Sequence, residues 1–262
     1  MAVGYQALTA NTTASQNTAV GHTALSANLT GTGLTAVGYQ SLLNCTAGDN
    51  TALGHQSGRG TTTGDANVFI GTFTAYSNTT GTSNVAVGYS SLSYNLTGIQ
   101  NTAVGRNSLY NTTGSNNTTV GYQAGKLITS GGSNVVVGSN AASTILTTGS
   151  RNTYVGYGLT PSGAGVTDEI IFQSGSGGTG KGNSTGFINP GTGGVYQGNN
   201  SSTWSVTSDQ RLKKNIVDNN DGLDKIAAIQ IRNFEYRVEE EITELPSHAA
   251  IKKEGVQLGV IA

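Results

Sequence analysis

NTAVGH at residues 17–22 returns as NTALGH at 50–55, NVFIGT at 67–72, NVAVGY at 84–89 and NTAVGR at 101–106. The glycine of this unit recurs as Gly4, Gly21, Gly38, Gly54, Gly71, Gly88, Gly105, Gly121, Gly138 and Gly156, ten copies whose spacing never leaves 16–18 residues. A fixed period of this size marks a solenoid, in which each copy is one turn and buries its apolar face by stacking on the next. A turn of this length is too short for a helical hairpin, so the coil is read as β. With about 4.8 Å between stacked strands, ten turns make a rod on the order of 48 Å long.

Within each copy the residue before the glycine is apolar, as at Val20, Val37, Leu53, Ile70, Val87, Val104 and Val120, and two residues earlier stands Thr or Val, as at Thr18, Val68, Val85 and Thr102. This alternation puts both positions on one face of a short strand, and their β-branched side chains suggest the inner row. The residues between them, mostly alanine as at Ala19, Ala36, Ala52, Ala86 and Ala103, share the other face with the glycine. That nearly bare face is expected to pack closely on something else. The remainder of each copy is Asn, Thr, Ser and Gly, which is turn chemistry. So small a core in so glycine-rich a chain does not offset the ordering entropy by itself, and self-association of three chains is expected.

The composition changes at about residue 204. Residues 1–203 carry nine charged side chains and residues 204–262 carry eighteen, although the whole chain has a net charge of only −1. Such a balance offers no field to attract nucleic acid or an anionic membrane. No apolar run approaches the eighteen or so residues of a membrane span, and no basic-then-apolar leader opens the chain. The opening MAVG falls inside a repeat, so the natural chain is expected to begin upstream. One cysteine, Cys45, excludes an intrachain disulfide framework. The expected architecture is an all-β parallel β-roll, or β-solenoid, over residues 1–157. A glycine-rich β neck over 158–203 follows, where the motif stops, and then a small α+β segment over 204–262.

Catalysis in the rod has little to draw on. A glycosidase needs two carboxylates about 5–10 Å apart. Residues 1–203 hold Asp49, Asp65 and the adjacent Asp168 and Glu169, and strand neighbours point to opposite faces. His22 and His55 occupy a position that is Tyr in other copies, which reads as a polar filler rather than a metal site. No cofactor and no metal is expected. The Asn-x-Ser/Thr sequons, starting at Asn11, Asn28 and Asn44, follow from composition.

The N-[TV]-A-V-G-Y run resembles the head repeats of trimeric autotransporter adhesins, although the usual copy there is shorter. That resemblance implies a left-handed, trimeric β-roll, and the same repeat occurs in bacteriophage fibres. At the other end, WSVTSDQRLKKNI at residues 204–216 resembles the start of the intramolecular chaperone domain found on endosialidases and many phage tail spikes and fibres, and also in myelin regulatory factor proteins. The matching residues are Ser208, Asp209, Arg211, Leu212, Lys213 and Ile216. The likeness continues through LDKIAAIQIRNFEYR at 223–237, read as an amphipathic helix leading into a strand, and resumes at GVQLGVIA, 255–262.

This second resemblance implies a single-turnover Ser-Lys peptidase that cuts its own chain between Thr207 and Ser208, with Ser208 as nucleophile, Lys213 as general base, and Asp209 and Arg211 as supporting motif residues. A serine hydroxyl needs a neighbouring base, and a lysine serves once desolvation lowers its pKa. The sequence therefore leads to a homotrimeric fibre of a phage tail, extracellular on the virion, that attaches to a host-surface receptor, glycan or protein, without nucleic acid or membrane insertion. The alternative is a trimeric adhesin on a bacterial cell surface. A membrane-tethered transcription factor would need a basic DNA-binding domain, which the neutral repeats do not supply.

Overall fold

The computed structural model describes residues 1–191 and 194–198 together with the strands at 204–206, 231–234 and 257–260. The chain divides into two compact units, Met1–Asp209 and Gln210–Ala262. In the first, β1 (Ala2–Val3), β2 (Thr18–Val20), β3 (Thr35–Val37), β4 (Thr51–Leu53), β5 (Val68–Ile70), β6 (Val85–Val87), β7 (Thr102–Val104), β8 (Thr118–Val120), β9 (Val135–Val137), β10 (Thr153–Tyr157), β11 (Ile170–Ser176) and β12 (Gly186–Asn189) stack in chain order. All eleven pairings are parallel. β13 (Val195–Gln197) then runs antiparallel to β12, and β14 (Trp204–Val206) antiparallel to β13. No helix occurs among the described residues, and the fold is the parallel β-solenoid that the period implies.

The register carries the period directly. Val20 lies opposite Val37, Val37 opposite Leu53, and Ile70 opposite Val87. The 16-residue steps pair equivalent residues too, Ala36 with Ala52 and Ala103 with Thr119, so length differences are absorbed in the turns. Glycine is required at the strand end. Gly71 has φ +134°, and a Cβ there would sit 2.7 Å from the Gly88 carbonyl oxygen of the next turn. Backbones approach so closely in this column that an L side chain has neither the conformation nor the space.

The strand phase is the reverse of the sequence expectation. Ala19, Ala36, Ala52, Phe69, Ala86, Ala103, Thr119, Val136, Tyr154 and Ile171 form the inner row and are all fully buried. Leu53, Ile70, Val85, Val120 and Val135 face outward and are 37–48 % exposed. The lumen of so short a turn is narrow. It holds a methyl from the strand because the opposite wall already contributes Leu25, Leu42, Leu92 and Leu109, each buried and each at positive φ. The bare alanine face thus packs on the leucines of its own chain, and no second chain is needed to close it. Where the strand brings a large side chain, the wall gives way. Gly58 opposes Phe69, and a Cβ on Gly58 would meet both the Phe69 ring and Leu42 at 2.8 Å. Ser57, Ser91 and Ser108 on the same wall donate their hydroxyls across the lumen to the carbonyls of Phe69, Ala103 and Thr119.

The asparagine that opens each NTAVG unit is not a turn residue but a buried rung. Asn50 Oδ1 accepts the Asn67 amide N–H at 3.0 Å, Asn67 that of Asn84 at 2.9 Å, and Asn84 that of Asn101 at 2.9 Å. The series continues through Asn117 and Asn134 to Asn152. Each side-chain amide also donates to a carbonyl of a following turn, Asn67 to Gly81 and Asn84 to Gly98. Such ladders satisfy buried polar groups turn after turn and polarise one another. Sequon residues Asn28, Asn78, Asn95 and Asn117 are fully buried in this scaffold.

The ladder runs on beyond residue 157, where the motif is no longer readable. Val155 pairs with Phe172 and Phe172 with Ile188, steps of the same size as before. A bulge between Val155 and Tyr157 marks the change, and β11 lengthens to seven residues. Stacking needs a repeat of length and alternation, and it tolerates the loss of the NTAVG letters.

Candidate functional site

Two places on the chain bear on function: the outward strand face of the solenoid and the segment that follows β14. The first is continuous. It presents Thr, Val, Leu and Ile over the repeats, then Ile170 at 40 %, Phe172 at 43 % and Ile188 at 41 % exposure on β11 and β12. Twelve strands at about 4.8 Å and three residues of about 3.3 Å each make a face of roughly 550 Å². Thr18, Thr35, Thr51, Thr102, Thr118 and Thr153 interrupt its apolar rows, and surface patches of this size are often functional.

The ionisable groups of the rod do not assemble into a catalytic site. Asp168 and Glu169 point opposite ways. Asp168 lies at the surface in a two-pronged pair with Arg151, both contacts 2.8 Å, and the guanidinium holds its carboxyl below the usual range. Glu169 is fully buried, accepting from the Tyr154 hydroxyl at 2.8 Å, the Ser162 N–H at 3.1 Å and the Gly182 N–H at 2.9 Å. Burial first, and the adjacent carboxylate second, push the Tyr154 phenol far up. Glu169 takes the place of the next asparagine rung, since Asn152 Oδ1 accepts its amide N–H at 2.8 Å. It ends the ladder and ties down two loops, a role its sequence neighbourhood did not signal.

His22 and His55 stand in an exposed column of rings at the turn after the strand. Tyr5, His22, Tyr39 and His55 stack with centroids 5.1–5.4 Å apart and planes within 28°. Their faces are turned to one another, which fits a filler role in a ring column. Among the described residues no group of three His, Cys, Asp or Glu side chains could hold a metal ion. Cys45 is buried, and burial pushes its thiol up to about 11, so it is a packing residue with little thiolate. No helix among the described residues is long and apolar enough to cross a membrane.

Thr207, Ser208, Asp209, Arg211 and Lys213 lie outside the described residues, as does the stretch read as an amphipathic helix. In the second unit, β15 (Ile231–Phe234) pairs antiparallel with β16 (Gln257–Val260), Ile231 opposite Val260 and Phe234 opposite Gln257. The two stretches of sequence that resemble the chaperone domain, around Phe234 and around 255–262, therefore meet as one hairpin-like pair although 22 residues separate the strands. Comparison with curated proteins and with solved structures returned no match. A comparison with protein-family models matches residues 208–262 to the family described as the chaperone of endosialidase.

Proposed function

We propose that the protein is the rod of a phage tail fibre or spike, a homotrimer held through its outward strand face, that attaches to a host-surface receptor and carries its own assembly chaperone. The observation behind this reading is the order of parts along one chain: a β-solenoid with an uncovered apolar face, followed by residues 208–262 that match the chaperone of endosialidase. The adhesin-like repeats support the same reading, since they suit a trimeric surface rod. Three copies burying this face would each remove several hundred Å² of apolar surface from water, at about 25 cal/mol per Å².

In this reading the chaperone leaves by self-cleavage. Ser208 Oγ attacks the Thr207 carbonyl carbon while the Lys213 amine takes the hydroxyl proton. The C–N bond breaks as Lys213 returns that proton to the departing Ser208 nitrogen, and water hydrolyses the ester to leave a carboxylate on Thr207. Packing of the assembled trimer around Lys213 supplies the desolvation that makes its amine a base near neutral pH. Loss of the chaperone then makes unfolding of the rod hard to reverse.

The test is denaturing mass spectrometry on the full encoded chain, beside light scattering on the same sample. The expected result is a trimer whose chains split between Thr207 and Ser208, and whole trimeric chains for Ser208→Ala and for Lys213→Ala. Alanine variants that still split there overturn the catalytic pair, and a stable monomer overturns the assembly.

A further inference from the structure

The outward face changes character at its neck end. Over the repeats each strand offers one Thr or Val two residues before the next apolar one. On β11 those positions become Ile170 and Phe172, and on β12 they become Gly186 and Ile188. A glycine in the row of Ile170 removes a side chain from the face. The result is a hollow of about 400 Å³ lined by Ile170, Phe172, Gly186 and Ile188, with Asp168 and Gln197 at its rim. A second hollow of about 340 Å³ lies between Val155, Phe172, Ile188 and Pro190. Phe172 and Ile188 line both, so they form a ridge with a depression on each side.

A ridge beside a hollow is a pairing that a rotationally symmetric assembly can use. In a closed ring of three, each copy offers one side of its surface to the next copy and the other side to the previous one, and the two sides must fit each other. A small-molecule ligand gives no reason for the ridge to be as exposed as it is. A neighbouring copy does, because an apolar hollow sealed inside an interface loses its contacts unless a side chain fills it. The repeats above it are nearly uniform from turn to turn and tolerate a slip by one turn, which the irregular neck does not.

We propose that the neck is the register lock of the assembly: Phe172 of one copy seats in the hollow over Gly186 of the next. This rests on the trimer reading given above and adds the contact that sets how the three chains align. Alignment at this level places the chain ends of the three copies at one height.

The experiment co-expresses two full-length chains with tags of different mass, one carrying Phe172→Cys and the other Gly186→Cys, and oxidises the assembled protein mildly. Neither chain can form this disulfide within itself, and the bond demands Cα atoms closer than about 7 Å. The expected product is a mixed cross-linked pair on a non-reducing gel. Trimers without the mixed product overturn the lock and leave the trimer reading standing, whereas monomers overturn both. Phe172→Ala supplies an independent measure. It is expected to lower the unfolding temperature of the trimer by several degrees with unchanged β content, and adding Gly186→Leu, which refills the hollow from the same chain, recovers part of that loss. An unchanged unfolding temperature counts against the lock.

Discussion

The two faces of one short strand are made of neighbouring residues and behave as different materials. Ala86 is sealed in the lumen, while Val85 beside it is 38 % exposed. The smaller residue is inside. Hydrophobicity ranks valine as the better core residue, yet the size of the enclosed space decides, and a turn of about seventeen residues leaves room for a methyl against an opposing leucine. In most repeats the larger side chains then face outward, and that is the physical argument behind the proposed trimer.

The sharpest way to break this comparison is one charge placed on each face in turn. Ala86→Asp buries an unpaired carboxylate in the lumen and is expected to cost on the order of 4 kcal/mol or more, so that circular dichroism shows little folded solenoid. Val87→Asp puts the same charge outside and should leave the β spectrum intact while light scattering shows loss of the trimer. Equal damage to folding at both positions would mean that the faces are not distinct.

Next in size is the ladder that holds the inner side in register. Asn101→Ala leaves the Asn117 amide N–H and the Gly114 carbonyl without their partners, and each buried group so orphaned costs about 1–3 kcal/mol. A clear fall in denaturant midpoint with an unchanged slope is the expected reading. Substitution of the neighbouring turn residue Gln100 by alanine serves as the control and should move the midpoint little. The glycine column comes third. Gly71→Ala forces a side chain into φ +134° and against the Gly88 carbonyl, a strain of about 1–3 kcal/mol seen as a lower unfolding temperature.

The smallest effect belongs to the surface pair of Arg151 and Asp168. Because Asp168 titrates below the usual carboxylate value when folded, its contribution is present at neutral pH and fades as the pH falls through the folded value. Asp168→Asn is expected to lower the unfolding temperature slightly at pH 7, and by progressively less as the pH falls through the folded value, below which the carboxylate is neutral in both states. A large effect that does not fade as the pH falls would show that the neck depends on this pair, in contrast to the interior rung at Glu169.

How much of this was readable beforehand differs from residue to residue. The glycine spacing alone implied parallel stacking, since equal chain lengths between equivalent residues return each strand to the same place. Alternation shows that Ala19 and Val20 face opposite ways, but alternation has no sign, and β-branching points to the wrong face as the inside. Asn84 looked like turn chemistry because its burial depends on the rungs above and below it. Past Gly156 the letters vanish while Val155, Phe172 and Ile188 keep their steps, because pairing uses backbone groups common to all residues.

At the far end the balance is reversed. SDQRLKK at residues 208–214 resembles the start of the endosialidase chaperone in its order of residues, and the family match covers 208–262. Sequence by itself determined what repeats, how often, and which segment matches the chaperone of endosialidase, because period and motif are properties of order along the chain. Tertiary structure alone decided which face is inside, that Asn and Glu169 form one buried ladder, and where the ridge and hollow of the neck lie. Those depend on the volume between walls that are distant in the chain, and no local pattern encodes a volume.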